Sequence, residues 1–188
     1  MQRRVADVPD KWTVSADGWT LYDWDGIAGY GHDGAAIGQY GYLRVVPQAG
    51  VAVALLTNGG GARELYAALF RELLGDLVGV RMPDAFEPPA QAPVVDFSRY
   101  VGTYKRAGVV ITVTERDGAP HLVYEFVDGM KDFSSPLDVE LYAVTESVFA
   151  GTGAGPSFSE GYMPVVFSTL GDGTECCYIG MRAAPKVA

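Results

Sequence analysis

One histidine within a glycine-rich stretch is the most site-like feature of this sequence. His32 is one of only two histidines in 188 residues, and it could serve as the base of a Ser–His pair in nucleophilic catalysis. Glycine lets a backbone approach a ligand closely, at a conformational cost that an ordinary strand would not carry. Glycines stand at positions 29, 31, 34, 38 and 41 around His32. The stretch therefore predicts a binding or catalytic site.

The sequence offers His32 no partner for a self-contained catalytic triad. A Ser–His pair needs hydrogen-bond reach and a third group that orients the base. Ser15 is the only serine in the first 82 residues, and nothing in its spacing places it near His32. No Gly-x-Ser-x-Gly motif occurs in the chain. The carboxylates Asp23, Asp25 and Asp33 are close in sequence, but we do not interpret them as an acid/base pair.

The remaining reactive residue types predict structural roles. His121 begins a predicted strand after Pro120, where we expect an ordinary surface or rim position. Cys176 and Cys177 are adjacent, and neighbours on a strand point to opposite faces, so we expect two reduced thiols and no disulfide. Two histidines far apart in sequence give no metal-ligand spacing. The sequence predicts neither a metal nor a cofactor.

Composition and charge argue against several classes of protein. Apolar residues make up 48% of the chain and charged residues 20%, which is typical of a globular protein. The formal net charge of −9 argues against binding to a phosphate backbone. No apolar stretch has membrane-spanning length, and the N-terminus lacks the hydrophobic segment of a signal peptide. We therefore expect a soluble, cytoplasmic protein that binds neither nucleic acid nor membrane.

Antiparallel strands and one helix are predicted for the first part of the chain. The alternation in 19–25 indicates a strand, and Asp25-Gly26 is a hairpin signal. Further strands are expected at 27–30, 40–46 and 51–57, with His32 in a connection. Residues 1–18 are polar and mixed, and 7–10 suggest a turn or loop. A leucine at every fourth position, in a stripe widened by three other residues, predicts an amphipathic helix lying on the sheet. The stripe is Leu65, Leu69, Leu73 and Leu77, with Ala62, Tyr66 and Phe70.

A proline-rich segment separates this part from a second pattern of short strands. Residues 82–93 contain four prolines and no periodicity, which indicates a semi-rigid linker and a domain boundary. About eight strands follow from Phe97 onward, the number at which a small antiparallel barrel closes. Its aromatic residues are expected to fill the interior, although they could line a pocket for one small molecule. Residues 151–161 are glycine-rich and are interpreted as a loop.

Several segments in order resemble the β-lactamase-like serine hydrolases, a superfamily that includes class C β-lactamases, penicillin-binding-protein-like (peptidase S12-type) enzymes, D-aminopeptidases and esterases. The triplet His32-Asp33-Gly34 is similar to the family's third motif, which is Lys-Thr-Gly or His-x-Gly on an inner edge strand. The runs 43–47 and 51–59 continue in the family's manner, and 100–104 resemble the start of an appended lipocalin-like barrel. The resemblance implies an α+β fold: antiparallel strands with a covering helix, as a partial transpeptidase-like sheet, then a small lipocalin-like β-barrel.

The same resemblance implies three candidate positions, His32 and Gly34 of the third motif and Ala35 on the oxyanion strand. The imidazole of His32 would face the acyl-binding cleft and donate a hydrogen bond to the substrate or to the catalytic hydroxyl network. The N–H group of Ala35, just after Gly34, would be one donor of the oxyanion hole, which stabilises charge that develops in the transition state. These three positions are the candidate catalytic residues.

Two of the family's three motifs are absent from the chain. No serine is followed three places later by lysine, and the only asparagine, Asn58, has neither Tyr nor Ser two places before it. We therefore interpret residues 1–82 as the C-terminal segment of a catalytic domain, 83–96 as a linker and 97–188 as the barrel, inactive alone. The alternatives are a small-ligand-binding barrel module, or an interaction subunit that completes another chain's sheet. The incomplete sheet predicts a homo-oligomer or a partner chain, because exposed ladder groups and apolar faces require cover.

Overall fold

The computed structural model describes the backbone of residues 4–10, 13–16, 18–36, 38–152, 161–180 and 182–188, and side chains from residue 18 onward within those ranges. The chain divides into two compact units, residues 1–84 and 85–188. The first unit contains one sheet and one α-helix, and the second contains a closed sheet. Short 3-10 helices lie at Pro47–Ala49, Ser98–Tyr100 and Asp128–Met130.

The first unit is built on a six-stranded antiparallel sheet whose strands follow in chain order. The strands are β1 (Arg4–Asp10), β2 (Thr13–Ala16), β3 (Trp19–Trp24), β4 (Ile27–Ala36), β5 (Gln39–Val46) and β6 (Val51–Thr57). The helix α1 (Ala62–Val78) follows β6. Strand β1 includes residues 7–10, where the sequence suggested a turn or loop, and β2 was not predicted.

The predicted Asp25-Gly26 turn is confirmed. Both residues have positive φ, 53° and 88°, as a two-residue hairpin turn between right-twisted strands requires. The Asp23 carboxylate also accepts a hydrogen bond of 2.7 Å from the Gly26 N–H. This turn fixes the register of β3 on β4, with Trp24 opposite Ile27.

Helix α1 packs on one face of the sheet, but not through the whole predicted stripe. Phe70 and Leu74 are fully buried in a core that also contains Trp24. By contrast, Leu65 is 49% exposed and Leu77 is 59% exposed. A spacing of four residues drifts around a helix that has about 3.6 residues per turn, so the four leucines do not form one straight inward row. The predicted helix exists, and its inward face includes Leu74, which the stripe did not contain.

The second unit is an eight-stranded antiparallel meander whose two end strands meet. The strands are β7 (Gly102–Arg106), β8 (Val109–Arg116), β9 (Ala119–Phe126), β10 (Leu137–Ala143), β11 (Val148–Thr152), β12 (Tyr162–Thr169), β13 (Glu175–Ile179) and β14 (Arg182–Pro185). The Thr103 N–H donates to the Ala188 carbonyl at 2.6 Å, and the Val187 N–H donates to the Thr103 carbonyl at 2.7 Å. These bonds help to close the sheet into a barrel.

Side chains fill the barrel interior. Tyr104, Phe149 and Ile111 are 1%, 1% and 0% exposed. The eight strands of this unit agree with the number that the sequence predicted. Most of the glycine-rich segment predicted as a loop lies outside the described residues. None of the described helices is long and apolar enough to cross a bilayer.

Candidate active site

His32 lies inside β4, not in a connection between strands as the sequence predicted. It pairs directly with Leu43 of β5, and its side chain is exposed. Directly paired residues share a face of an antiparallel sheet. Tyr42 and Val53 pack in the core beneath α1, and Leu43 and its partner Ala54 alternate with them along β5 and β6. The imidazole of His32 is therefore on the face opposite to α1.

The part of β4 after Gly31 has a free edge. The pairing of β3 with β4 ends at Gly31, and no described strand pairs with the rest of that edge. Ala36 pairs with Gln39 across a two-residue turn, so these two residues are hydrogen-bonded to each other. Hydrogen-bonded positions alternate along a strand, so every second residue back from Ala36 also directs its N–H group towards β5. The N–H group of Ala35 is out of phase with them and points away from β5, towards the free edge. A backbone N–H in this position can donate to a bound carbonyl or oxyanion.

The glycines around His32 differ in their surroundings, and Gly34 leaves space for a ligand beside the backbone of β4. A Cβ on Gly29 would lie 2.3 Å from the Trp24 ring, and one on Gly31 would lie 2.0 Å from the Leu43 carbonyl oxygen. These two glycines allow close packing within the protein. A Cβ on Gly34 would meet nothing within 4 Å. Of these three positions, Gly34 is the one where a ligand could approach the backbone.

A surface hollow lies at the end of the β4–β5 hairpin, beside the end of β6. It has a volume of about 540 Å³, and its lining includes Gly34 and Ala35 but not His32. The other lining residues are Ala36, Gln39, Tyr40, Gly41, Leu56, Thr57 and Asn58. Two of the three candidate residues thus share one depression, and His32 stands outside it on the same strand.

On the face of the sheet that α1 covers, an ion pair between Asp33 and Arg44 connects β4 to the helix. Arg44 donates hydrogen bonds to both carboxylate oxygens of Asp33, at 2.5 and 2.9 Å, and to the Tyr66 hydroxyl of α1 at 2.6 Å. Its guanidinium lies over the Tyr22 ring at 4.6 Å, and Tyr66 stacks on Tyr42. The Arg44 side chain is 4% exposed, whereas that of Asp33 is 46% exposed.

The electrostatics of this cluster keep its charges fixed. Burial alone would lower the pKa of Arg44, but the hydrogen bond to Asp33 and the neighbouring tyrosines raise it overall. Burial raises the pKa of Tyr22 and of Tyr66, and the nearby Arg44 only partly opposes this shift. Arg44 therefore stays charged and both phenols stay neutral at neutral pH.

Sequence reasoning missed Arg44 altogether and assigned Asp33 no partner. The available signal was a single arginine within the apolar run 42–46. A charge at an inward strand position requires a partner, because an unpaired buried charge is very costly. The second signal was Gly31, which lies opposite Arg44 and leaves space for its side chain.

The other reactive residues do not assemble a site. His121 lies on β9 with its Nδ1 atom 3.4 Å from an oxygen of Asp138, which also pairs with Arg116 at 2.5 Å. Hydrogen bonding from Arg116 lowers the pKa of Asp138. Cys176 and Cys177 are both buried in β13, and burial raises the pKa of the Cys177 thiol. Among the described residues, no group of His, Cys, Asp or Glu could hold a metal ion.

The fold and the edge strand define a class of protein. An antiparallel sheet with a covering helix and a His-x-Gly triplet, followed by a small closed barrel, resembles the C-terminal portion of a β-lactamase-like serine hydrolase with an appended barrel. No protein-family model matches the chain.

Comparison with known proteins confirms this resemblance. The chain is 55% identical over 112 residues to Penicillin-binding protein 4 of Amycolatopsis lactamdurans, a match that covers 57% of this chain and 29% of that protein. The chain therefore spans less than a third of the length of this relative.

Solved structures show the same fold. The crystal structure of SurE has a TM-score of 0.69 at 23% identity, and the match covers 100% of this chain and 41% of that protein. The crystal structure of SurE with D-Leu has a TM-score of 0.63 at 24% identity, with 90% of this chain and 38% of that protein covered. These likenesses support the α+β fold with a lipocalin-like barrel, and the chain spans less than half of either protein.

Proposed function

We propose that this chain supplies the third-motif strand and the barrel of a β-lactamase-like serine hydrolase, which transfers or hydrolyses an acyl group of an amide, β-lactam or ester. The observation that carries the proposal is the free edge of β4, where the Ala35 N–H points outward beside the open position Gly34. The identity to a penicillin-binding protein supports the same class of chemistry.

Each candidate residue has a definite task in this proposal. The Ala35 N–H donates to the oxyanion that forms when a nucleophile attacks the carbonyl. Gly34 allows the substrate to lie against the strand without meeting a side chain. His32, exposed on the face opposite to α1, donates a hydrogen bond to the substrate or to the nucleophilic hydroxyl. The nucleophile comes from a segment with the Ser-x-x-Lys motif, which this sequence lacks, so the chain alone is inactive.

The proposed domains follow from the same interpretation: 1–82 from the catalytic domain, 83–96 as the linker and 97–188 as the barrel. The division of contacts between residues 84 and 85 supports a boundary in this segment. Residues 79–97 are all described and contain neither helix nor strand, as is typical of a linker rich in proline.

A cover for the sheet is the second part of the proposal, and one specific surface favours it. Strand β6 is the outer strand of the sheet and contains no charge and no proline, two of the features that protect natural edges. On the face opposite to α1, Ala52 and Ala54 are exposed and Leu56 is 84% exposed. We propose that another segment, from a partner chain or a second copy, covers this edge and face. The filled interior of the barrel favours this role over storage of a small ligand.

A chimaera tests the proposed activity. This chain would replace the matching segment of Penicillin-binding protein 4 from Amycolatopsis lactamdurans, and reaction with a labelled penicillin would be followed by intact mass. We expect one adduct per chimaera and a rate lower by a factor on the order of a hundred in His32→Ala. The matched control is His121→Ala on the barrel, which should react like the parent.

The isolated chain provides the complementary measurement. We expect no adduct after incubation with the labelled penicillin or with a fluorophosphonate. A stoichiometric adduct would show that the chain has its own nucleophile, and peptide mapping would locate it. A His32→Ala chimaera that reacts as fast as its parent would remove His32 from the proposal.

A further inference from the structure

The free edge of β4 leaves the proposed site with little lateral support. Among the described strands, β5 alone pairs with residues 32–36, whereas the preceding half of β4 lies between two strands. A strand with one ladder partner opens more easily than a strand with two, because fewer backbone hydrogen bonds hold it. The edge that a substrate needs is therefore also the least supported part of the strand.

Side-chain bonds on the other face supply support to this segment. Asp33 is the middle residue of the third-motif triplet, and both of its carboxylate oxygens accept hydrogen bonds from the nearly buried Arg44. Arg44 in turn donates to the Tyr66 hydroxyl of α1. A bidentate pair between a planar guanidinium and a carboxylate fixes the orientation of the two groups as well as the distance between them.

We propose that Asp33 is a positioning residue: acting through Arg44 and Tyr66, it holds the edge segment of β4 so that the Ala35 N–H keeps its outward direction. The inference rests on the proposed function for its catalytic consequence, whereas its structural content can be measured without any substrate. Because Asp33 and Ala35 are two residues apart on one strand, the tilt of β4 at Asp33 sets the direction of the Ala35 N–H.

A purely stabilising role would leave a different signature. An ion pair with a nearly buried arginine is weak evidence for stability, because desolvation offsets much of the attraction between the charges. If the pair only stabilised the first unit, its loss would raise exchange at every amide of the sheet alike. If it positions the edge segment, its loss raises exchange at β4 and its β5 partners first.

Amide hydrogen exchange of the full chain, followed by NMR, distinguishes the positioning role of Asp33 from a purely stabilising role. In Asp33→Asn, exchange at the Gly34 and Ala36 amides should rise about tenfold or more relative to amides between β5 and β6, as expected for losing a charge-assisted hydrogen bond. Tyr66→Phe removes one bond of this series of contacts and should give a smaller local rise. Leu74→Ala, which weakens the core beneath the helix, should raise exchange throughout the sheet.

A matched control and a kinetic readout complete the test. Asp138→Asn breaks the 2.5 Å pair with Arg116 in the barrel and should leave exchange in β4 unchanged. In the penicillin-reactive chimaera, Asp33→Asn should lower the acylation rate constant about tenfold while the dissociation constant of the penicillin is unchanged. A uniform rise in exchange, no rise, or an unchanged acylation rate would overturn the inference. A parent chimaera that forms no adduct would reject the proposed function, and the exchange pattern would still decide whether Asp33 holds the strand.

Discussion

At the scale of residues, neighbours in the His-x-Gly triplet lie on opposite faces of one strand. His32 is exposed on the face away from α1, whereas the Asp33 carboxylate is bonded to Arg44 on the helix side. This division follows from the alternation of side chains along a strand. One short triplet can therefore present a chemical group to a substrate and anchor itself to the protein at the same time.

The first prediction contrasts two glycines of this strand. Gly31→Ala should lower the free energy of unfolding of the first unit by about 1 to 3 kcal/mol, because the added Cβ overpacks the site. It would lie 2.0 Å from the Leu43 carbonyl oxygen and 3.0 Å from Cδ of Arg44. Gly34→Ala is the matched control and should change stability little, since its Cβ meets nothing within 4 Å. Urea unfolding measures both, and equal losses in the two variants would contradict the packing assigned to Gly31.

The second prediction concerns the phenol of Tyr66. Burial raises its pKa, so the folded chain holds this proton more tightly than the unfolded chain, whose phenol has the ordinary value of 10.0. The stabilisation is therefore fully present below about pH 10 and is lost as the pH rises through the folded value. Unfolding should be followed by tryptophan fluorescence, because all three tryptophans lie in the first 24 residues and report on the first unit.

Tyr66→Phe is the comparison for this pH dependence. The variant has no phenol at position 66 to ionise, so its free energy of unfolding should fall less steeply above about pH 10 than that of the parent. The pKa of Tyr22 is also raised by burial, so the free energy of unfolding of the variant should still fall somewhat above about pH 10. Identical slopes would show that Tyr66 does not contribute to alkaline unfolding.

At the scale of elements, the sequence predicted the helix and the main strands but not their contacts. The Asp25-Gly26 turn was predictable because its two positive φ angles demand those residue types. The helix was predictable from periodicity, yet Leu65 and Leu77 are exposed while Phe70 is buried. Periodicity identifies an apolar face, whereas the neighbouring strands decide which part of that face is covered. The same limit explains why the sequence, although it indicated that Arg44 needs a partner, did not identify Asp33 or Tyr66 as that partner.

The third prediction concerns closure of the barrel by β7 and the end of the chain. Removing residues 186–188 deletes the hydrogen bond of 2.6 Å from Thr103 to Ala188 and that of 2.7 Å from Val187 to Thr103. Each such bond contributes about 1 kcal/mol, so the barrel should lose about 2 kcal/mol or more. Exchange of the slowest amides in β8 would measure this loss. The tryptophan fluorescence of the first unit is the internal control, and unchanged exchange in β8 would contradict closure through these bonds.

At the scale of the whole molecule, the two units differ in how completely they are closed. In the barrel the last strand returns to the first, and its interior is filled. In the first unit α1 covers one face of the sheet, and the β6 edge has no described partner strand. The sequence pointed to this difference, because two of the three motifs of the family that it resembles have no counterpart in it. It could not indicate which side chains would be left exposed.

The final prediction follows from that open surface. Leu56 is 84% exposed beside the uncharged edge of β6, so wild-type chain should self-associate in sedimentation velocity as its concentration rises. Leu56→Lys places a charge on the surface and should weaken the association constant about tenfold or more, as expected when one buried leucine is lost from an interface. The control is Val94→Lys in the proline-rich segment, where the native side chain is also fully exposed and association should persist. A wild-type chain that remains monomeric at every concentration would show that this face does not bind a second copy, and would exclude self-association as the cover of the sheet.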